Sequence, residues 1–236
     1  MPTCYLHAGR ASGRGAAQTG YSVPVARKRK RSSPKPAKRI TRLAFELCLS
    51  RLEMARGHDG LLRGEPEPVV VLGVYHSTGV TMRALGRMHV GFAPRGGYPV
   101  VVEPEGVSTI TAPVLPGGTP HDKERLVMLA IALEDDGGSD VARIYGALQE
   151  ITTFSCWPRD EQVPNPVPLI EASTWTEPVT RVFVLDEGRD LRALCTKDEL
   201  IGAALVTMPV SRGRREFRLP FSSERNDWVA LLEASL

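Results

Sequence analysis

Aromatic side chains make up only 6% of the 236 residues, cysteines number four, and the first 39 residues contain no aspartate or glutamate. Sparse aromatics beside 22 glycines and 19 prolines favour many turns and short strands over long helices. The longest apolar runs, Leu126 to Leu133 and Ile201 to Leu205, fall far short of the roughly 18 residues a membrane-spanning helix needs. Cys4, Cys48, Cys156 and Cys195 form no Cys-x-x-Cys pair and have no histidine at zinc spacing. Reduced thiols are therefore expected, in a protein that is intracellular and either soluble or peripheral to a membrane.

The net charge of +3 conceals an asymmetry. Residues 1–39 carry ten of the 30 lysines and arginines, which leaves twenty bases against 27 acids in the remainder, a body about seven charges negative. The tail has neither helical nor alternating apolar spacing, and too few apolar groups to offset the entropy of ordering it, so residues 1–39 are expected to be a disordered basic tail. It lacks the apolar centre of a secretory signal, while its acid-free start also suits an organelle transit peptide. Its cluster of Arg27, Lys28, Arg29, Lys30, Arg31, Lys35, Lys38 and Arg39 suits nucleic acid, anionic lipid or an import receptor, or simply aids solubility. No aromatics interleave with these bases, so a stacking platform for single strands is not indicated.

From Ile40 the pattern changes. Leu43, Phe45, Leu47 and Leu49 alternate with Arg42, Ala44, Glu46, Cys48 and Ser50, the period of a half-buried strand. Val69 to Tyr75 is β-branched and nearly continuous, as a central strand covered on both faces would be. Further strands are expected at Arg87–Phe92, Tyr98–Val102, Leu126–Leu133, Val179–Leu185, Ile201–Met208 and Glu216–Leu219. Val141, Ile144, Leu148 and Ile151 recur at helical spacing, with Ser139 or Asp140 placed to cap the first turn. Trp228 to Leu236 fits a strand or a short helix. Some eight strands with one inserted amphipathic helix make residues 40–236 an all-β chain, an antiparallel β-sandwich.

Two stretches carry the functional signal. The first is the loop with Asp59 that ends in Glu67-Pro68-Val69-Val70. The second is Arg181 to Val206, two apolar segments around a loop holding Asp186, Glu187, Asp190, Asp198 and Glu199. Crowded carboxylates repel one another unless a cation, a basic partner or water relieves them. Alternatively the second stretch is a β-hairpin with an acidic surface loop, in which Gly202 marks a close approach of strands.

Together the stretches resemble the calcium- and lipid-binding C2 domain. That family has an Asp-Pro-Tyr-Val stretch ending its first acidic loop, and spaced aspartates with Asp-x-x-x-Gly ending its third. The resemblance implies Asp59 and Glu67 as calcium ligands from the first loop, and Asp186, Asp190 and Asp198 from the third. Glu67 replaces the usual Asp, Gly188 stands where a second Asp is expected, and the Asp186 to Asp198 spacing is long. Each departure weakens a site that needs six to eight oxygens.

Enzyme signatures are poor: there is no phosphate loop, no Gly-x-Ser-x-Gly elbow and no His-Glu-x-x-His helix. His58, His76, His89 and His121 are scattered, and Cys195 lies among carboxylates that disfavour its thiolate. The expectation is a non-enzymatic module that docks on a protein or an anionic membrane, with calcium as the ligand the resemblance implies. The alternative is a self-assembling, coat-like sandwich, a homo-oligomer whose basic arm binds nucleic acid.

Overall fold

The computed structural model describes residues 42–57, 66–114, 123–150, 154–156, 167–174, 183–185 and 191–236. By its contacts the chain separates into Met1–Lys38 and Arg39–Leu236, and all the strands and helices named here belong to the second unit.

Two five-stranded antiparallel sheets face each other. The first contains β12 (Arg214–Ser222), β13 (Asp227–Ser235), β1 (Leu43–Arg56) and β4 (Val100–Val102), with β6 (Thr109–Val114) also paired to β1. The second runs β11 (Glu199–Pro209), β7 (Arg125–Glu134), β2 (Pro68–Ser77), β3 (Met82–Phe92) and β5 (Pro104–Glu105). The sandwich read from the sequence is the observed fold, built from more and longer strands than the eight expected.

The expected alternation on β1 stops at Ser50 because a bulge lies there. Pairing with β13 skips between Leu49 and Arg51, so the inward set Phe45, Leu47, Leu49 resumes one residue out of phase at Leu52 and Met54. Ser50 Oγ, freed from the ladder's alternation, donates to the Leu231 carbonyl at 3.2 Å. The C-terminal segment is a strand: Trp228, Ala230, Leu232 and Ala234 all point into the core, and the Trp228 indole N–H donates to the Arg56 carbonyl at 3.1 Å.

Every residue of β2 is buried. Val70, Leu72 and Val74 enter the core between the sheets, while Val69, Val71 and Tyr75 enter a second core on the opposite face. β7 divides in the same way, Leu126, Met128 and Ala130 inward and Val127, Leu129 and Ile131 outward. A third layer covers that outer face. It consists of α1 (Asp140–Ala147), α2 (Leu169–Ala172), the 3-10 turn Leu191–Leu194 and a small sheet of β8 (Phe154–Cys156), β9 (Val167–Pro168) and β10 (Phe183–Leu185). Fully burying one aliphatic side chain contributes about 1.5–3 kcal/mol, so strands buried on both faces carry a large share of the stability.

Two expectations are corrected here. The segment Arg181 to Val206 is not a hairpin: β10 pairs with β8, whereas β11 pairs along its length with β7. The long apolar run of β11 matches that of β7, and three-residue β10 has no comparable run to offer. Tyr98 and Pro99 lie outside strand structure, which in that region begins at Val100.

Gly202 sits at a bulge in β11, and a Cβ placed there would make ordinary van der Waals contact with Phe221 Cα at 3.4 Å. Gly86 lies closer still to its neighbour, 2.6 Å from its virtual Cβ to Ile110 Cγ2 across the sandwich.

Candidate functional site

Antiparallel register sorts the strand ends into two poles. At one pole β2 begins, β7 ends and β11 begins, because Pro68 and Glu199 both pair with Glu134. The segments that carry Glu67 and Asp198, 131 positions apart in the chain, therefore meet on either side of the end of β7.

Hydrogen bonds tie the three segments together. Glu67 N–H donates to Glu134 Oε1 at 3.1 Å, and the Glu67 carbonyl accepts from Asp135 N–H at 3.0 Å. Asp136 N–H donates to Asp198 Oδ1 at 3.3 Å. The turn between β7 and α1 needs glycine twice: Gly137 has φ of 75°, and a Cβ on Gly138 would lie 2.5 Å from Asp198 Oδ1. Asn226 Nδ2 reaches Glu199 Oε1 at 3.5 Å from the β12–β13 turn.

Asp140 holds the segment before β11. It is fully buried, and its Oδ2 accepts the backbone N–H groups of Thr196, Lys197 and Asp198 at 2.6, 2.7 and 3.0 Å. Asp140 Oδ1 accepts from the Thr196 hydroxyl at 3.2 Å, and Arg143, one turn along α1, pairs with the same carboxylate. This corrects the expected cap. Neither Ser139 nor Asp140 caps α1 through its side chain, since Ser139 makes no such bond and Asp140 is turned to the 196–198 segment.

Asp198 is 5% exposed, and while Oδ1 has the Asp136 amide, Oδ2 is buried with no hydrogen-bond partner. A buried carboxylate oxygen without a donor costs on the order of 1–3 kcal/mol unless a proton, a water or a cation meets it.

Of the five residues that the C2 resemblance assigns to calcium, Glu67 and Asp198 share this pole, Glu67 exposed and Asp198 buried. Asp59, Asp186 and Asp190 lie outside the described residues, as do Arg27, Lys28, Arg29, Lys30, Arg31, Lys35, Lys38 and Arg39. Among the described residues no three His, Cys, Asp or Glu side chains group closely enough to hold a metal ion. Glu67 and Asp198 alone do not supply a calcium shell. Glu134, Asp135 and Asp136 reach the pole as well.

Two of the histidines, His76 and His89, pack against neighbouring side chains. His76 Nε2 and Glu124 Oε2 lie 3.0 Å apart, both buried, at the other pole. His89 packs edge-on against Tyr145 with ring centroids 5.3 Å apart, and Arg87 lies over the same ring at 4.2 Å. His58 and His121 lie outside the described residues. Cys48, Cys156 and Cys195 are free thiols, and burial pushes Cys156 up to about 12.

No helix among the described residues is long and apolar enough to cross a membrane. Compared with family models, with curated proteins and with solved structures, the chain finds no match. The C2 resemblance stands on the residues of its two acidic stretches alone.

Proposed function

We propose that the chain is a non-enzymatic binding module, a sandwich whose acidic pole takes up a cation and which docks on a protein or membrane partner. The observation that supports this most is the second oxygen of Asp198, buried without a donor where three acid-bearing segments meet. A carboxylate so placed is stabilised by a small positive ligand. Calcium is the ion the resemblance implies. The described residues do not complete its shell, so Asp59, Asp186 and Asp190 are the residues to test beside Asp198.

The test is thermal unfolding of the full chain in millimolar calcium and in chelator. A ligand bound only by the folded form adds RT ln(1 + [L]/Kd), about 2.7 kcal/mol at a hundredfold excess, which moves the midpoint by several degrees. The expected result is a calcium shift that Asp198→Asn removes and Asp186→Asn weakens. An equal midpoint with and without calcium at every concentration would sink the metal reading.

A further inference from the structure

The opposite pole has a different chemistry. There β2 ends at Ser77 and β3 begins at Met82, Arg125 opens β7, β11 ends at Pro209, and β12 starts at Arg214 beside Ser235. β1 also begins at this pole, since Glu46 pairs with Ser235 and Leu43 with Val114. Arg42, Arg83, Lys123, Arg212 and Arg215 are exposed here, and none pairs with an acid among the described residues. Of the nearby acids, Glu124 is buried against His76 and Glu233 is paired with Arg214, while Glu46, Glu171 and Glu216 are exposed.

Four neighbouring strands of one sheet span about 15 Å at roughly 4.8 Å per step, and the sheets lie about 10 Å apart. The five bases therefore share a patch one to two screening lengths across, at about 8 Å each in physiological salt, so that neighbouring bases reinforce one another's field.

At the tip of the β2–β3 connection stands Val80, 81% exposed and the most exposed large hydrophobic residue among those described. The turn that presents it is tied back by its own hydrogen bonds: Thr81 N–H donates to Thr78 Oγ1 at 3.0 Å, Thr78 N–H to the Thr81 carbonyl at 2.9 Å, and Gly79 N–H to Ser77 Oγ at 3.1 Å.

We propose that this basic pole, with Val80 at its tip, is the face that docks on an anionic membrane surface, leaving the acidic pole turned away. Lipid headgroups offer the negative charge that the five arginines and lysines fit, and the headgroup boundary accepts the apolar tip. Nucleic acid offers the charge but no use for Val80. The proposal rests on the reading of the chain as a docking module and is independent of calcium.

The experiment is cosedimentation of the full chain, in chelator, with phosphatidylcholine vesicles with and without phosphatidylserine. One base near the surface contributes about 1 kcal/mol, about fivefold in binding at 1.4 kcal/mol per tenfold. Binding to the phosphatidylserine vesicles is expected to fall about 25-fold in Arg212→Gln/Arg215→Gln, and to weaken again in Val80→Asp. The measurement is made in chelator, so failure of the calcium reading leaves this result standing. The substituted positions are exposed, and unchanged melting of the variants confirms that folding is intact. Equal binding to both vesicle types, or full binding by the pole variants, would overturn the proposal. So would duplex nucleic-acid binding that needs Arg212 and Arg215 while Val80→Asp changes nothing.

Discussion

His76 and Glu124 face each other between the two sheets at 3.0 Å, both almost wholly buried. They belong to the ends of neighbouring strands, His76 pairing in register with Leu126 just beyond Glu124. Removing one partner takes a hydrogen bond from a buried polar group, a loss of about 1–3 kcal/mol, whereas replacing both with apolar groups of similar volume is often neutral. His76→Leu is therefore expected to destabilise the protein by about 1–3 kcal/mol, and His76→Leu/Glu124→Leu by clearly less. Urea denaturation of the four proteins of the cycle measures it. Additive losses would show that the pair is not coupled.

The Asp140 carboxylate is the anchor of the acidic pole, and its effect is local. Three backbone N–H groups converge on its Oδ2, and hydrogen bonds to a charged acceptor contribute about 1.5–3 kcal/mol net. In Asp140→Asn the amides of Thr196, Lys197 and Asp198 are expected to exchange at least tenfold faster, with the centre of β7 unchanged. Hydrogen exchange resolves the two regions. If all three amides keep their protection, the anchor is elsewhere.

Much of the fold is legible in the sequence because strand periodicity is a local property. The run of β2 reads as a doubly covered strand and that of β7 as an apolar strand, and Met88, Val90 and Phe92, alternate residues of the expected Arg87–Phe92 strand, all enter the core. β6 escaped despite the inward set Ile110, Ala112, Val114, because Pro113 and the nearby Gly- and Pro-rich links suggested a turn. β13 stayed undecided because Leu231 and Leu232 are adjacent apolar residues, although Leu231 is only half-buried on the outer face. The third layer was hidden for another reason: β8, β9 and α2 have two to four residues each, too few to show a period. The site was legible only in part. Glu67 and Asp198 could be singled out, but their meeting depends on both lying beside Glu134, a register that no local pattern encodes. The turning of Asp140 away from its helix was equally invisible.

Tyr75 reaches across Gly73 to donate its hydroxyl to the Leu148 carbonyl at 2.7 Å, and burial raises its pKa, so it stays protonated. A Cβ on Gly73 would lie 2.6 Å from that hydroxyl oxygen. Gly73→Ala is expected to cost about 1–3 kcal/mol by overpacking, and Tyr75→Phe about 1 kcal/mol or more by leaving the Leu148 carbonyl without this donor. With the hydroxyl gone the alanine has more room, so the double variant should lose less than the sum. Chemical denaturation gives the coupling, and simple additivity would contradict the contact.

Cys156 sets an alkaline limit. Its thiol is buried in the outer core, and burial lifts its pKa from the ordinary 9.0 to about 12. In the unfolded chain the thiol ionises from about pH 9, while in the folded protein it keeps its proton until about pH 12. Between those values the unfolded state binds fewer protons, so the stability contributed by the neutral buried thiol is fully present below pH 9 and falls as pH rises through this window. Cys156→Ala, after allowance for its smaller side chain at neutral pH, is expected to show a shallower loss of stability above about pH 9 than the unaltered protein. At neutral pH, iodoacetamide should modify half-buried Cys48 and Cys195 well before Cys156, because burial shields Cys156 and keeps it protonated. Denaturation midpoints across the alkaline range measure the first effect and peptide mass mapping the second. Rapid alkylation of Cys156 in the folded chain would mean that the third layer opens far more readily than its packing allows.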